Sequence, residues 1–169
     1  MTAGQMADPA AARAFFVFIR DLRWNWRSEE LPGVIERLGW PITSEVPNGA
    51  LTAIPSWGID SARAIISRLD GEVFLMAVDL TDKALPSVPG RVDFLQDAFV
   101  EMHAVAVTAL GPPDERLPGD TPTSIWHMGP TTVQLSRRSV TVNLEWSSTV
   151  EYERQKEYAE RMAEQGEDG

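Results

Sequence analysis

The stretch from Arg91 to Trp146 constrains the fold more than any other part of the chain. An amphipathic pattern predicts a helix over Arg91–Leu110, and Gly111-Pro112-Pro113 ends it because proline cannot continue a helix. Alternating apolar residues then predict short strands. A long helix directly before an antiparallel meander indicates an α+β fold. The three strands are expected at about residues 123–128, 131–136 and 139–147.

The first half of the chain predicts two helices and a hairpin. Asp8-Pro9 suits a helix start, and this helix should run to Leu22. A second helix begins near Ser28 and ends at Gly39. Asp70-Gly71 is a strong turn signal between two apolar runs. Strands are therefore expected at about residues 50–55, 62–69 and 72–80.

These elements give the order α-α-β-β-β-α-β-β-β-α, with a charged last helix from about Val150 to Glu164. Local hairpins imply an antiparallel sheet of about five to six strands, with the helices packed mainly on one face. Pro41–Asn48 and the proline-rich Pro112–Pro122 are expected to be loops. The length of 169 residues fits one domain. We expect a disordered tail at 1–7, a single α+β domain at 8–164, and a disordered tail at 165–169.

The composition excludes several classes of function. Fifteen basic and twenty-five acidic residues give a net charge of −10, which disfavours nucleic acid and favours a basic protein as partner. The chain has no cysteine, so disulfides and thiolate chemistry are excluded. Neither a secretory signal nor an apolar segment long enough for a membrane is visible. We therefore expect a soluble, cytoplasmic protein with no membrane partner.

The sequence shows no recognisable catalytic or cofactor motif. His103 and His127 each lack a second histidine at metal-binding spacing, and both are interpreted as structural or surface residues. Nucleophile-elbow, dinucleotide and phosphate-loop motifs are missing. Scattered carboxylates such as Asp79 and Asp82 lack the spacing of a calcium loop. We therefore predict no catalytic residue, no metal site and no cofactor.

Six tryptophans are many for this length. Trp146 continues an alternating strand face and should be in the core, and Trp40 should pack under a helix end. Loop tryptophans could instead be exposed binding anchors or could cap the edge of the core. The predicted docking surface combines three such tryptophans with an acidic loop that would attract a basic partner. Its residues are Trp24, Trp26, Trp57, Asp114 and Glu115.

Short motifs are spread over nearly the whole chain, beginning with Arg23-Trp24-Asn25-Trp26 after the first helix. The others are Leu38-Gly39-Trp40, Asp97-Ala98-Phe99, Leu110-Gly111-Pro112-Pro113, Ile125-Trp126-x-x-Gly129 and Val133-Gln134-Leu135. Together they resemble a small uncharacterised actinobacterial family of unknown function, whose D-W-x-W start has an acid where this chain has Arg23. The resemblance implies no activity and no site residues. The order of elements also resembles the type III secretion chaperone-like fold, whose members generally bind proteins.

Three hypotheses of function remain open at this level. The first is a non-enzymatic protein-binding module, such as an immunity protein or a dedicated chaperone of a secreted toxin or effector. The alternative is a small-molecule-binding protein or an enzyme whose tryptophans line an unrecognised site. The third is self-association, since an uncovered sheet face could form a homodimer.

Overall fold

The computed structural model describes residues 4–59 and 61–167. Within them, four α-helices, one short 3₁₀ turn and eight strands form an α+β fold. The helices are α1 (Pro9–Asp21), α2 (Leu31–Leu38, preceded by the 3₁₀ turn Ser28–Glu30), α3 (Arg91–Leu110) and α4 (Thr149–Glu167). The strands are β1 (Ile42–Glu45), β2 (Leu51–Ala53), β3 (Ala64–Leu69), β4 (Glu72–Asp79), β5 (Glu115–Leu117), β6 (Thr123–Met128), β7 (Thr131–Arg137) and β8 (Val142–Ser148).

All eight strands belong to one antiparallel sheet in the order β1-β2-β3-β4-β8-β7-β6-β5. The sheet therefore consists of two four-stranded meanders, each running from an edge to the centre. The meanders join where β4 pairs with β8. The helices α1 and α3, which precede the two meanders, pack against each other.

The prediction of five to six strands is wrong, because the sheet has two further edge strands and the order of elements differs accordingly. One is β1, in the segment expected to be a loop, and all four of its residues are exposed. The other is β5, which lies within the proline-rich segment and pairs with β6. Exposed three- or four-residue strands have no buried face, so they lack the alternation that reveals a strand.

Local signals placed most helix ends and the first hairpin correctly. The Asp8 carboxylate caps α1 by accepting a hydrogen bond from the Ala11 N–H at 3.0 Å. Gly39 ends α2 with a φ of 73°, and α3 has its predicted bounds. Asp70 and Gly71 both have positive φ at the β3–β4 turn, as a tight hairpin requires.

The two faces of the sheet differ in chemistry because side chains alternate along each strand. One face packs against α1, α2 and α3 and forms the core, with Met76, Trp146 and Val133 side by side on adjacent strands. The opposite face, here called the outer face, is mostly polar. One row crosses it over all eight strands: Ser44, Thr52, Ile65, Ala77, Glu145, Gln134, Ile125 and Glu115.

Both segments expected to be disordered tails are partly described. Residues 4–7 lie against the domain, where Met6 bridges to Thr81 and the Ala7 N–H donates to the Leu80 carbonyl at 2.8 Å. Residues 165–167 continue α4. The predictions for residues 1–3 and 168–169 lie outside the described residues. In the part of the chain that is described, each helix is too short or too polar to cross a bilayer.

Candidate binding surfaces

Trp24 and Trp26 lie side by side at one end of the core. Their ring centroids are 4.5 Å apart, and Trp146 of β8 lies 5.7 and 5.2 Å from them. The chain turns sharply here, with Trp26 at a φ of 59°, and the Val73 N–H donates to the Trp26 carbonyl. Trp26 is buried, whereas Trp24 is half-buried. Of the two predicted anchors, Trp24 is thus the one that reaches the surface.

Trp57 belongs to a different cluster. It is buried between Phe15 and Trp40, at ring-centroid distances of 5.6 and 5.3 Å. Its indole N–H donates to the Asp79 carbonyl at 3.1 Å, at the opposite end of β4 from the residues that meet Trp26. The structure therefore places Trp57 in the core, as the core-cap alternative expects, and does not bring it next to Trp24.

Asp114 and Glu115 hold His127 at the edge formed by β5 and β6. The His127 N–H donates to the Asp114 carboxylate at 2.6 Å, and Nε2 of its ring lies 2.8 Å from Glu115 Oε2. This second contact is an ion pair when the imidazole is protonated. The ring of Tyr152, from the first turn of α4, packs on His127 with centroids 5.2 Å apart.

A chain of hydroxyl groups continues from His127 into the sheet. Its Nδ1 lies 3.2 Å from Thr132 Oγ1, which lies 3.0 Å from Thr149 Oγ1. The Thr149 hydroxyl donates to the Gly129 carbonyl, so the Thr132 hydroxyl donates to Thr149. The cluster ties β5, β6, β7 and α4 together.

A groove lies between the Trp24–Trp26 loop and the start of α4, with a volume of about 590 Å³. Three aromatic side chains, Trp24, Trp26 and Phe74, line it. Its charged lining residues are Glu72, Glu151 and Arg154. We call it the aromatic groove. Gly129 and Pro130 of the β6–β7 turn lie at its rim.

The first turn of α4 positions the charges of the aromatic groove. Ser148 caps the helix by accepting from the Glu151 N–H at 3.1 Å, which fixes Glu151 in the first turn. The Glu151 side chain is only 12% exposed, and the Arg154 guanidinium lies 2.6 Å from its carboxylate. The same guanidinium lies over the Phe74 ring, 5.8 Å from the centroid. Two elements, α4 and β4, thus bring together a carboxylate, a guanidinium and an aromatic face.

The sequence analysis did not identify Phe74, Glu151 or Arg154 as site residues. The one sequence pattern in this region is the Ser-x-x-Glu of Ser148 and Glu151. It is a capping motif, which predicts a helix start and does not predict a groove. Phe74 lies in the strand expected at about residues 72–80, where an apolar residue is ordinary.

Two titrating groups elsewhere are perturbed by burial. Burial raises the pKa of Asp79, opposed by the hydrogen bond from the Arg63 N–H at 3.1 Å. His103 lies in a second groove, of about 450 Å³, between α3 and β5. Burial and the nearby Arg116 lower the pKa of His103. Within residues 4–59 and 61–167, no three His, Asp or Glu side chains come together as a metal site would require.

Comparison with known proteins identifies the family but no activity. No curated protein matches the sequence. A DUF4309 family protein from Bacillus subtilis, YjgB, has a crystal structure that is similar to 83% of this chain and 97% of its own, with a TM-score of 0.43 and 9% identity. The model of DUF6301, a family of unknown function, matches residues 10–148, from the start of α1 to the end of β8. The chain therefore belongs to the DUF6301 family.

Proposed function

We propose that this chain is a non-enzymatic protein-binding module that docks a basic partner protein on the outer face of its sheet. The observation that carries the proposal is the row of outer-face side chains across all eight strands, pointing away from the core that α1, α2 and α3 cover. Ile65 is 46% exposed within that row, and Leu75 and Ala77 beside it are half-buried.

The whole outer face approaches the size of one side of a protein–protein interface, although only part of it is open. Eight strands spaced about 4.8 Å apart, with rises of about 3.4 Å per residue, give a surface of roughly 700 Å². A standard protein–protein interface buries about 800 Å² on each partner. In the half of the face formed by β6, β7 and β8, Ile125, Thr132 and Ser147 are buried, and Tyr152 packs on His127 there. The open part is therefore the half formed by β1–β4, where Ser44 and Ile65 are exposed.

Charge supports a basic partner over a second copy of the chain. The net charge of −10 attracts a basic protein and repels an identical chain. On the outer face itself, Glu145 next to Ala77 is paired with Arg138 at 2.7 Å. The Asp79 carboxylate, two residues further along β4, accepts from the Arg63 N–H. The preference for a basic partner therefore rests on the net charge of the chain. An immunity protein or a dedicated chaperone for a secreted toxin or effector, acting in the cytoplasm, fits this chemistry. The absence of cysteine is compatible with that reducing compartment.

The test is affinity capture from native lysate with three matched baits: the natural chain, Ile65→Arg and Val92→Arg. Val92 is 63% exposed on α3, so its variant adds the same charge away from the outer face. We expect one partner to be captured by the natural chain and Val92→Arg and to be lost with Ile65→Arg. Equal capture by all three baits refutes docking on the outer face.

A small-molecule function would give a different result. If no protein is captured and a metabolite extract raises the melting temperature of the natural chain, the aromatic groove becomes the functional site. A homodimer on the outer face would appear in light scattering as a mass twice that of the chain, reduced to the monomer mass by Ile65→Arg.

A further inference from the structure

The aromatic groove has the chemistry of a cation site. Trp24, Trp26 and Phe74 line it, and the face of an aromatic ring carries the negative part of a quadrupole, which attracts a cation. Glu72 and Glu151 add two carboxylates, against the single positive charge of Arg154. The helix dipole places roughly half a positive unit charge at the N-terminal end of α4, which disfavours a cation in the groove. The two full negative charges of the carboxylates outweigh it.

The chain itself supplies a guanidinium to this groove. Arg154 lies over Phe74 at 5.8 Å and pairs with Glu151 at 2.6 Å, although its side chain is 60% exposed. A planar guanidinium stacks on a ring and pairs with a carboxylate at the same time, which a lysine ammonium does less well. Arg154 therefore shows which group the groove accommodates. Its exposure leaves it free to swing out and be replaced.

We infer that the aromatic groove binds the side chain of an arginine carried by a partner protein, which displaces Arg154 from Phe74 and Glu151. This rests on the proposed function only in that a partner protein supplies the arginine. The displaced Arg154 moves to solvent, and Glu151 exchanges one guanidinium for another. The partner's arginine also gains contact with Trp24, because the Trp24 side chain is only half-buried.

The probe is a Gly-Gly-Arg-Gly-Gly amide peptide, acetylated at its N-terminus, titrated into ¹⁵N-labelled full-length chain. The indole N–H resonances of Trp24 and Trp26 report binding at the groove, and that of Trp57 is the internal reference. Matching peptides with lysine or glutamate in place of arginine test the chemistry. Agmatine, a free guanidinium compound, tests whether a protein must carry the group.

Two variants move the affinity in opposite directions. Glu151→Gln keeps the helix start and removes one carboxylate, and we expect binding of the arginine peptide to weaken about threefold. Arg154→Ala removes the internal competitor, and we expect binding to tighten about threefold. The matched controls are Glu160→Gln and Arg161→Ala, which make the same charge changes on the exposed part of α4 and should leave the affinity unchanged.

Tighter binding by Arg154→Ala together with weaker binding by Glu151→Gln supports the inference, because a purely structural role of the pair gives no tightening. Unchanged or weaker binding by Arg154→Ala overturns it, as does preference for the glutamate peptide. Binding of agmatine without binding of the arginine peptide overturns the assignment to a partner protein. If Ile65→Arg abolishes partner capture while the arginine peptide fails to bind, the proposed function stands and this inference falls.

Discussion

Replacing Trp57 with alanine tests whether this tryptophan is part of the core or a binding anchor. The side chain is 4% exposed and packs against Phe15 and Trp40. Its N–H donates to the Asp79 carbonyl. The substitution therefore removes a large buried ring and one hydrogen bond at the same time.

The expected loss follows from these contacts. A buried tryptophan hides about 150–250 Å², which at about 25 cal/mol per Å² corresponds to about 4–6 kcal/mol. This value is an upper bound, because an unfolded chain already buries part of that area. Measured losses for such truncations are about 3–5 kcal/mol. We expect Trp57→Ala to lower the free energy of unfolding by about 4 kcal/mol, which lowers the melting temperature by roughly 8–16 °C at this chain length.

The assay is urea denaturation followed by far-ultraviolet circular dichroism, which does not depend on the fluorescence of the removed indole. Trp57→Phe is the matched control, because it keeps a buried ring and loses the N–H, and it should cost about 1–2 kcal/mol. A loss below about 1.5 kcal/mol for Trp57→Ala, with an unchanged dependence on urea, would refute the core assignment. Trp57 would then return to the candidate anchors.

Three further predictions concern stability. Burial raises the pKa of Asp79 above its ordinary value of 3.8, so folding favours the protonated carboxyl. The free energy of unfolding of the natural chain, relative to that of Asp79→Asn, should therefore decline as pH rises above 3.8. Urea denaturation of both proteins between pH 3.5 and 7 measures this difference, and an increase with pH contradicts the prediction. Gly71→Ala should lower the free energy of unfolding by about 1–2 kcal/mol because Gly71 has a φ of 81°. Gly33→Ala inside α2 should instead raise it by up to about 1 kcal/mol. Melting temperatures that shift in the same direction for both variants would contradict this argument from backbone conformation. Side chains 153–166 of α4 are exposed, so truncation after Gln155 should change the free energy of unfolding by less than about 0.5 kcal/mol, and a larger loss in urea would show unrecognised packing.

The candidate site could be predicted only in part. Sequence reasoning singled out Trp24 and Trp26, because two tryptophans flanking one residue in a loop are conspicuous, and the aromatic groove contains both. It could not join them to Phe74 or Arg154, which are about 50 and 130 residues further along the chain. Nor could it show that Trp57 lies in a separate buried cluster, since a loop position alone does not determine burial.

The sequence by itself determined the elements whose signals are local. Asp8-Pro9 and Gly39 mark helix ends through capping and backbone conformation, and Asp70-Gly71 supplies the positive φ of a tight hairpin. The bounds of α3 follow from its apolar stripe and from the prolines after Gly111. Each of these signals acts within a few neighbouring residues.

Only the tertiary structure decided the edges of the sheet and the grooves. The strands β1 and β5 exist because β2 and β6 offer unpaired backbone groups, and pairing with them satisfies hydrogen bonds without burying side chains. The pairing of β4 with β8 joins segments about 70 residues apart and brings Trp146 to Trp26. Such contacts depend on which surfaces meet when the chain packs, and no spacing along the sequence records that.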